Sequence, residues 1–475
     1  MTRRGLLSTL AASLGVGSKA SPHAGRLQAG AAASNITPLL GISLDGPISQ
    51  NGPATHVHDE LHARCLVLSD EKTQIAIAIC DSTMLWKDLV DEAKAIASSK
   101  TGIPPERMLI AATHTHSTPR LGVRNGELER WYRGFLPRRI ADGIIRAYNN
   151  LSPAAMGWDS VQVPEFVFNR RWFVKPESVP PNPFGETGDR VRMNPPAGST
   201  VLIRPAGPVD PEFFVLSVRH ADGRPLALLA NYGLHYVGGS RRGDISADYF
   251  GLFSERVREL MMSEHSDMPF VAMMSNGASG DVNNIDFRKE RDRRPPYVRM
   301  REVAHDLAEK AVGISRDVKY RNELTVASAH SRLKLSIRRP DEHRVAWARK
   351  VWAEAEGAGR LTRPQVYARE NLALSEYPRA LHVPMQALRI GSLGIAAIPC
   401  EVFAETGLAI KKHSALKPAF TMGLANGYFG YLSTAEQHEW GGYETWPARS
   451  SCLETEAEAK IRTEALRLLK SVSRV

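Results

Sequence analysis

Short apolar runs alternate along the chain with longer stretches whose apolar residues recur every three or four positions. Residues 63–68, 75–79 and 108–112 read as buried strands, the last bounded by Pro104-Pro105 and Pro119. Between the second and third, residues 85–97 place Leu89, Val90, Ala93 and Ile96 on one helical face. Strand, helix, strand is a βαβ unit, so the strands at 75–79 and 108–112 should be parallel. A long helix is expected over 127–148, its stripe carrying Trp131, Phe135, Ile140, Ile144, Ile145 and Tyr148, with Pro137 interrupting it. Residues 213–218 and 225–230 read as a hairpin, as do 382–390 and 393–399 around Gly391-Ser392. Ser246-Ala247-Asp248 caps a helix reaching Met262. Further strands are expected at 270–274, 324–337 and 420–425, and helices at 297–312, 364–375, 402–412 and 454–471. Residues 171–211 are rich in Pro and Gly and lack periodicity, as a long surface loop or a substrate wall would. No internal repeat is legible. The pattern predicts an α/β fold: mixed β-sheets flanked by helices in one catalytic domain.

Composition adds little but excludes much. With 43% hydrophobic and 24% charged residues in 475, the chain is an ordinary globular sequence that can bury a large core. Net charge is +10, yet Lys and Arg are scattered among acids, and the densest cluster, 288–301, contains Glu290 and Asp292. It reads as a solvated face, with no nucleic-acid motif around it. Cys65, Cys80, Cys400 and Cys452 have no paired spacing, so no disulfide framework is expected. At the start, Thr2-Arg3-Arg4-Gly5-Leu6-Leu7 precedes small and apolar residues to Gly17, then Ser18-Lys19-Ala20. This resembles a twin-arginine export signal over residues 1–20, leaving 21–475 as an exported, periplasmic or extracellular domain.

The chemistry starts at Thr113-His114-Thr115-His116-Ser117-Thr118-Pro119. It follows a parallel strand, where open α/β sheets place their ligands, and residues two apart share a face. The apolar run before Asn231-Tyr232-Gly233-Leu234-His235 ends in another histidine, and residues 393–399 lead to Cys400-Glu401 at a helix start. His114, His235 and Glu401 thus stand at three strand ends, and two imidazoles with one carboxylate is a common catalytic zinc set. A second His-x-His, His56-Val57-His58, precedes a strand instead of ending one and reads as structural. Residues 275–284, Ser-Asn-Gly-Ala-Ser-Gly-Asp-Val-Asn-Asn, have glycines that let backbone approach a site closely.

Thr113–Ser117, the strand ending in His235, Asn276-Gly277-Ala278-Ser279-Gly280-Asp281, Pro399-Cys400-Glu401 and Tyr431-Leu432-Ser433-Thr434 together resemble the catalytic domain of neutral/alkaline, non-lysosomal ceramidases. The likeness runs from about Gly30 to the C-terminus in matching order. It implies a zinc ion on His114, His235, Glu401 and Tyr431, a site-lining His116, a transition-state tyrosine at Tyr443 and a substrate-binding arginine at Arg170. The implied reaction is hydrolysis of the amide bond of ceramide or a related N-acyl lipid by metal-activated water, with contact to a membrane surface. Two departures stand out. Asn283 occupies the position of a family serine, and the family's immunoglobulin-like C-terminal domain is not expected after this one. Three alternatives stay open: a zinc hydrolase of another amide or ester, a non-catalytic binding protein with the same fold, and an amidohydrolase-type metal barrel. The hairpins at 213–230 and 382–399 do not suit such a barrel.

Overall fold

The computed structural model describes residues 26–46, 52–122, 126–262, 270–355 and 361–475; the export-signal reading of residues 1–20 lies outside them. Eight strands form one large sheet: β1 (Gln28–Asn35), β2 (His62–Ser69), β3 (Gln74–Cys80), β4 (Met108–Ala112), β5 (Ser152–Gln162), β6 (Glu212–His220), β7 (Pro225–Tyr232) and β8 (Val271–Asn276). Four more form a second: β9 (Val326–Ser336), β10 (Ala380–Ile390), β11 (Leu393–Ala397) and β12 (Ala419–Met422). The described helices longer than one 3₁₀ turn are α1 (Lys87–Thr101), α2 (Glu127–Asn149), α3 (Asp248–Met262), α4 (Val298–Asp317), α5 (Glu342–Ala353), α6 (Arg363–Ser375), α7 (Ala404–His413), α8 (Ala435–Trp440) and α9 (Ala457–Val472).

One topological unit occurs three times. In β1–β4, β5–β8 and β9–β12 the first three strands form an antiparallel meander. A crossover helix, α1, α3 or α7, then returns the fourth strand parallel to the third. A further helix follows each fourth strand: α2, α4 and, after α8, α9. The first two units join where β1 pairs with β5 through Gln28↔Pro153 and Ala29↔Ser152, giving the large sheet. The expectation of no internal repeat is therefore corrected at the level of topology. Tertiary pairing repeats, while the side chains that satisfy each core do not.

The strand pattern sorts side chains into layers. In β3, Ile75, Ile77 and Ile79 face the second sheet, meeting Leu388, Ile390, Ile395, Phe420 and Met422. Its alternate residues Ala76, Ala78 and Cys80 face α1 and α2, against Leu89, Val90, Ile140 and Ile144. β6 divides likewise, with Phe214 and Leu216 between the sheets and Phe213 and Val215 under α3 and α4. The outer face of the second sheet is covered by α7 and α9, through Ile410, Ile461 and Leu468. The result is a four-layer α/β/β/α stack, and an eight-strand βα barrel is excluded.

Two further expectations change. Helix α2 runs unbroken from Glu127 to Asn149 with Pro137 inside it. Proline forfeits one backbone hydrogen bond, but Leu136, Ile140 and Ile144 around it are completely buried, and packing of that face outweighs the loss. Residues 171–211 hold a small antiparallel sheet, Arg171–Val174 with Val191–Met193 and Leu202–Pro205. All four cysteines are free and buried.

Candidate metal centre

The carboxyl ends of the parallel strand pairs from all three units converge on one place. Beyond β4 the ladder continues as Thr113 N donates to Cys80 O and His114 N to Ser82 O. His114 then adopts a left-handed backbone, φ 72°. That conformation is uncommon outside glycine and marks a position held by its surroundings. His235 follows β7, and Glu401 follows β11, where it pairs with Tyr431 in a two-residue parallel ladder. Backbones meet closely here. A Cβ on Gly280 would lie 2.5 Å from the Glu401 carbonyl oxygen, so only glycine fits that crossing.

The ligand geometry follows from the imidazole hydrogen bonds. His114 Nδ1 lies 2.6 Å from Thr83 O, and His235 Nδ1 lies 3.0 Å from Ser279 O. A carbonyl only accepts, so both Nδ1 atoms carry a proton and both rings turn Nε2 toward the centre. Those two Nε2 atoms face Glu401 Oε2 at 3.2 and 3.8 Å. The same oxygen is buried and accepts no hydrogen bond among the described residues. Burial, and then the Arg170 charge, push the His235 imidazole far below its ordinary range, which keeps it neutral. Burial raises the Glu401 carboxyl, but the facing His114 and Arg170 hold it net below its ordinary value, an anion. The neutral His235 ring and the Glu401 anion turn lone pairs toward one another, and a cation between them removes that repulsion. The residues fit a divalent metal.

Around this centre stand the other expected residues. His116 Nε2 is 3.3 Å from His114 Nε2, and the His116 ring stacks on Tyr236 with centroids 3.7 Å apart. His114, His116 and His235 present ring nitrogens all within 4.8 Å of one another. Arg170 Nη2 donates to Tyr431 Oη at 3.1 Å, Nη1 reaches His235 Nε2 at 3.3 Å, and Nε donates to Glu444 Oε1 at 2.9 Å. Tyr443 is ring-to-ring with Tyr431, centroids 5.7 Å apart. Burial and nearby Glu401 push its phenol up, so it stays a donor. Asn283 is buried two residues past Asp281, its Nδ2 donating to Asn194 Oδ1 and its Oδ1 accepting from Ile285 N. His56 is exposed, and His58 stacks on Tyr297 with ring centroids 3.6 Å apart.

Sequence reasoning missed the groups that orient this set. The Thr83 and Ser279 carbonyls leave no residue-type signal. Tyr236, adjacent to His235, could have been found as an aromatic beside a ligand, and Tyr428 by its three-residue spacing from Tyr431. Asp281 also has a definite role. Its Oδ1 accepts from Ala404 N, at the start of α7, and its Oδ2 accepts from Asn169 Nδ2, beside Arg170. Burial pushes its carboxyl up to about 6. The native state therefore binds more protons here than the unfolded chain between about pH 4 and 6, so the group's contribution falls as pH rises through that window. Relative to wild type, Asp281→Asn should gain up to roughly 3 kcal/mol in urea unfolding between pH 4 and pH 6. A wild-type-minus-variant difference that is flat with pH would refute this.

No protein-family model matches the chain, and no curated protein does. Solved structures do. The crystal structure of neutral ceramidase from Pseudomonas aeruginosa superposes with a TM-score of 0.68 at 18% identity, over 94% of this chain and 74% of that one. A ceramidase complexed with C2 gives the same TM-score and identity over 94% and 75%. The four-layer stack that gathers His114, His235 and Glu401 is thus the fold of neutral ceramidase, reached with little sequence in common.

Proposed function

We propose that the protein is a zinc-dependent hydrolase that cleaves the amide bond of an N-acyl lipid, ceramide or a relative of it. The carrying observation is the convergence of His114 Nε2 and His235 Nε2 on Glu401 Oε2, a buried oxygen with no hydrogen-bond partner among the described residues. The ceramidase fold supports the substrate class. In this reading His114, His235, Glu401 and Tyr431 hold the ion; a second ligand set, with His116 joining His114 and His235, is favoured by their mutual proximity. Bound there, zinc would supply Lewis acidity toward the scissile carbonyl and a water acidified to a pKa of about 7.

The chain's own residues supply the rest. Tyr443 and His116 donate hydrogen bonds to the oxyanion that develops on the carbonyl, each worth roughly 3 kcal/mol when preorganised. Burial and the neighbouring His114 push the His116 imidazole well down, so it acts as a neutral donor. Arg170 is buried; its Nη2 and Nε donate to Tyr431 and Glu444, which holds the phenol in place, and its Nη1, 3.3 Å from His235 Nε2, would turn to substrate once that lone pair is on the ion. Asn283 pairs with Phe168 in the short ladder that sets Val282 against Asn169, the residue before Arg170. Export rests on the Thr2–Leu7 pattern alone; no described helix is long and apolar enough to cross a membrane.

The test is release of free amine from a short-chain ceramide by zinc-loaded protein, beside a chelator-treated sample. Chelator-sensitive release is expected. Zinc-loaded protein that leaves ceramide intact and instead hydrolyses an N-acyl amino acid or an ester would move the substrate elsewhere.

A further inference from the structure

We propose that Tyr428 is a positioning residue that selects which oxygen of Glu401 meets the metal, an inference that rests on the metal reading above. The Tyr428 hydroxyl donates to Glu401 Oε1 at 2.9 Å, while Oε2, the oxygen facing His114 and His235, has no hydrogen-bond donor. The two oxygens of a free carboxylate are equivalent and exchange by rotation about the last side-chain bond. A fixed phenol on one of them ends that equivalence. It engages Oε1, fixes the plane of the carboxylate and leaves Oε2 as the single ligand atom. Hydrogen-bond partners of metal ligands commonly set ligand orientation in this way.

The hydroxyl is fixed because the loop beneath it is fixed. Asn426 and Gly427 take positive φ, 64° and 141°, which turns the chain into the site. Asn426 Oδ1 accepts from Lys94 Nζ at 2.7 Å and from Ile110 N at 3.2 Å, and its Nδ2 donates to Gln386 Oε1 at 2.7 Å. The loop is therefore anchored to α1, β4 and β10 at once. The Tyr428 ring lies edge-on to Trp86, centroids 5.9 Å apart, and Phe429 N donates to Pro399 O on the segment that leads to Glu401. Three residues later the same loop delivers Tyr431 alongside Glu401. One rigid loop thus presents a metal-side phenol and an orienting phenol to the same carboxylate.

Tyr428→Phe removes the hydroxyl and keeps the ring packed against Trp86. The experiment is zinc affinity by competition with a fluorescent chelator, alongside thermal unfolding, for wild type, Tyr428→Phe and Tyr132→Phe. Tyr132 is a buried tyrosine whose hydroxyl donates to Ile36 O, in the first unit's core, and it reports on loss of a structural hydrogen bond alone. Tyr428→Phe is expected to weaken zinc binding about 10- to 100-fold, while Tyr132→Phe lowers the melting temperature and leaves affinity within about twofold. Unchanged affinity in a folded Tyr428→Phe protein overturns the inference, and so does an equal loss in both variants. Wild-type protein that takes up no zinc overturns the metal reading itself, a failure distinguishable from the other two.

Discussion

His235→Ala should abolish zinc binding and amide hydrolysis together. His235 is almost completely buried, its Nδ1 is committed to the Ser279 carbonyl, and its Nε2 faces Glu401 and Arg170 Nη1. Alanine removes one of the ligands and leaves Glu401 facing a cavity beside His114. A site reduced from three clear protein donors to two loses its closed arrangement for zinc. With the ion goes several kcal/mol of transition-state stabilisation, about three orders of magnitude in kcat/KM at 1.4 kcal/mol per tenfold. Zinc content by atomic spectroscopy and turnover of the same sample check this. Retention of both in His235→Ala would remove that residue from the centre.

Glu444→Gln carries the second large effect, on stability. Glu444 is fully buried and bridges two buried guanidinium groups, Arg170 Nε at 2.9 Å on one oxygen and Arg171 Nη1 at 2.6 Å on the other. Arg171 is completely buried, and three more of its donors go to Gln437 Oε1 and the Gln437 and Gly441 carbonyls. The network ties the loop bearing Tyr443 to Arg170 and to the strand that starts at Arg171. Glutamine keeps the shape and removes the charge, so two buried cations lose their counterion. Breaking a buried pair this way is destabilising by about 3–5 kcal/mol. Urea unfolding followed by circular dichroism measures it. A loss below about 1 kcal/mol would mean that solvent reaches these guanidinium groups.

Local structure was largely legible because it is written in local pattern. The parallel pairing of β3 with β4 followed from apolar run, helical face, apolar run, and the three strand ends before His114, His235 and Glu401 followed from runs that stop at a polar ligand. The residue-by-residue likeness to neutral ceramidases then joined those ends into one expected site, and the structure sets His114, His235 and Glu401 side by side. What stayed hidden depends on contacts between distant segments. The threefold βββαβ unit is a repetition of pairing and not of residue types, so nothing at one position announces its counterpart. Pro137 was read as a break because propensity speaks for the isolated helix, whereas Leu136 and Ile140 decide in the folded one. Thr83 and Ser279 act through carbonyl oxygens that every residue has. Tyr428 reaches Glu401 only after Asn426 has been locked by Lys94 of the first unit and Gln386 of its own.

The central claim is that one metal ion sits between His114, His235 and Glu401. Anomalous diffraction at the zinc edge from crystals of the zinc-loaded protein tests it most directly. A single strong peak is expected about 2.0–2.2 Å from His114 Nε2, His235 Nε2 and Glu401 Oε2. A peak held by His116 without Glu401, or no peak in this cluster from a protein that carries zinc elsewhere, would contradict it.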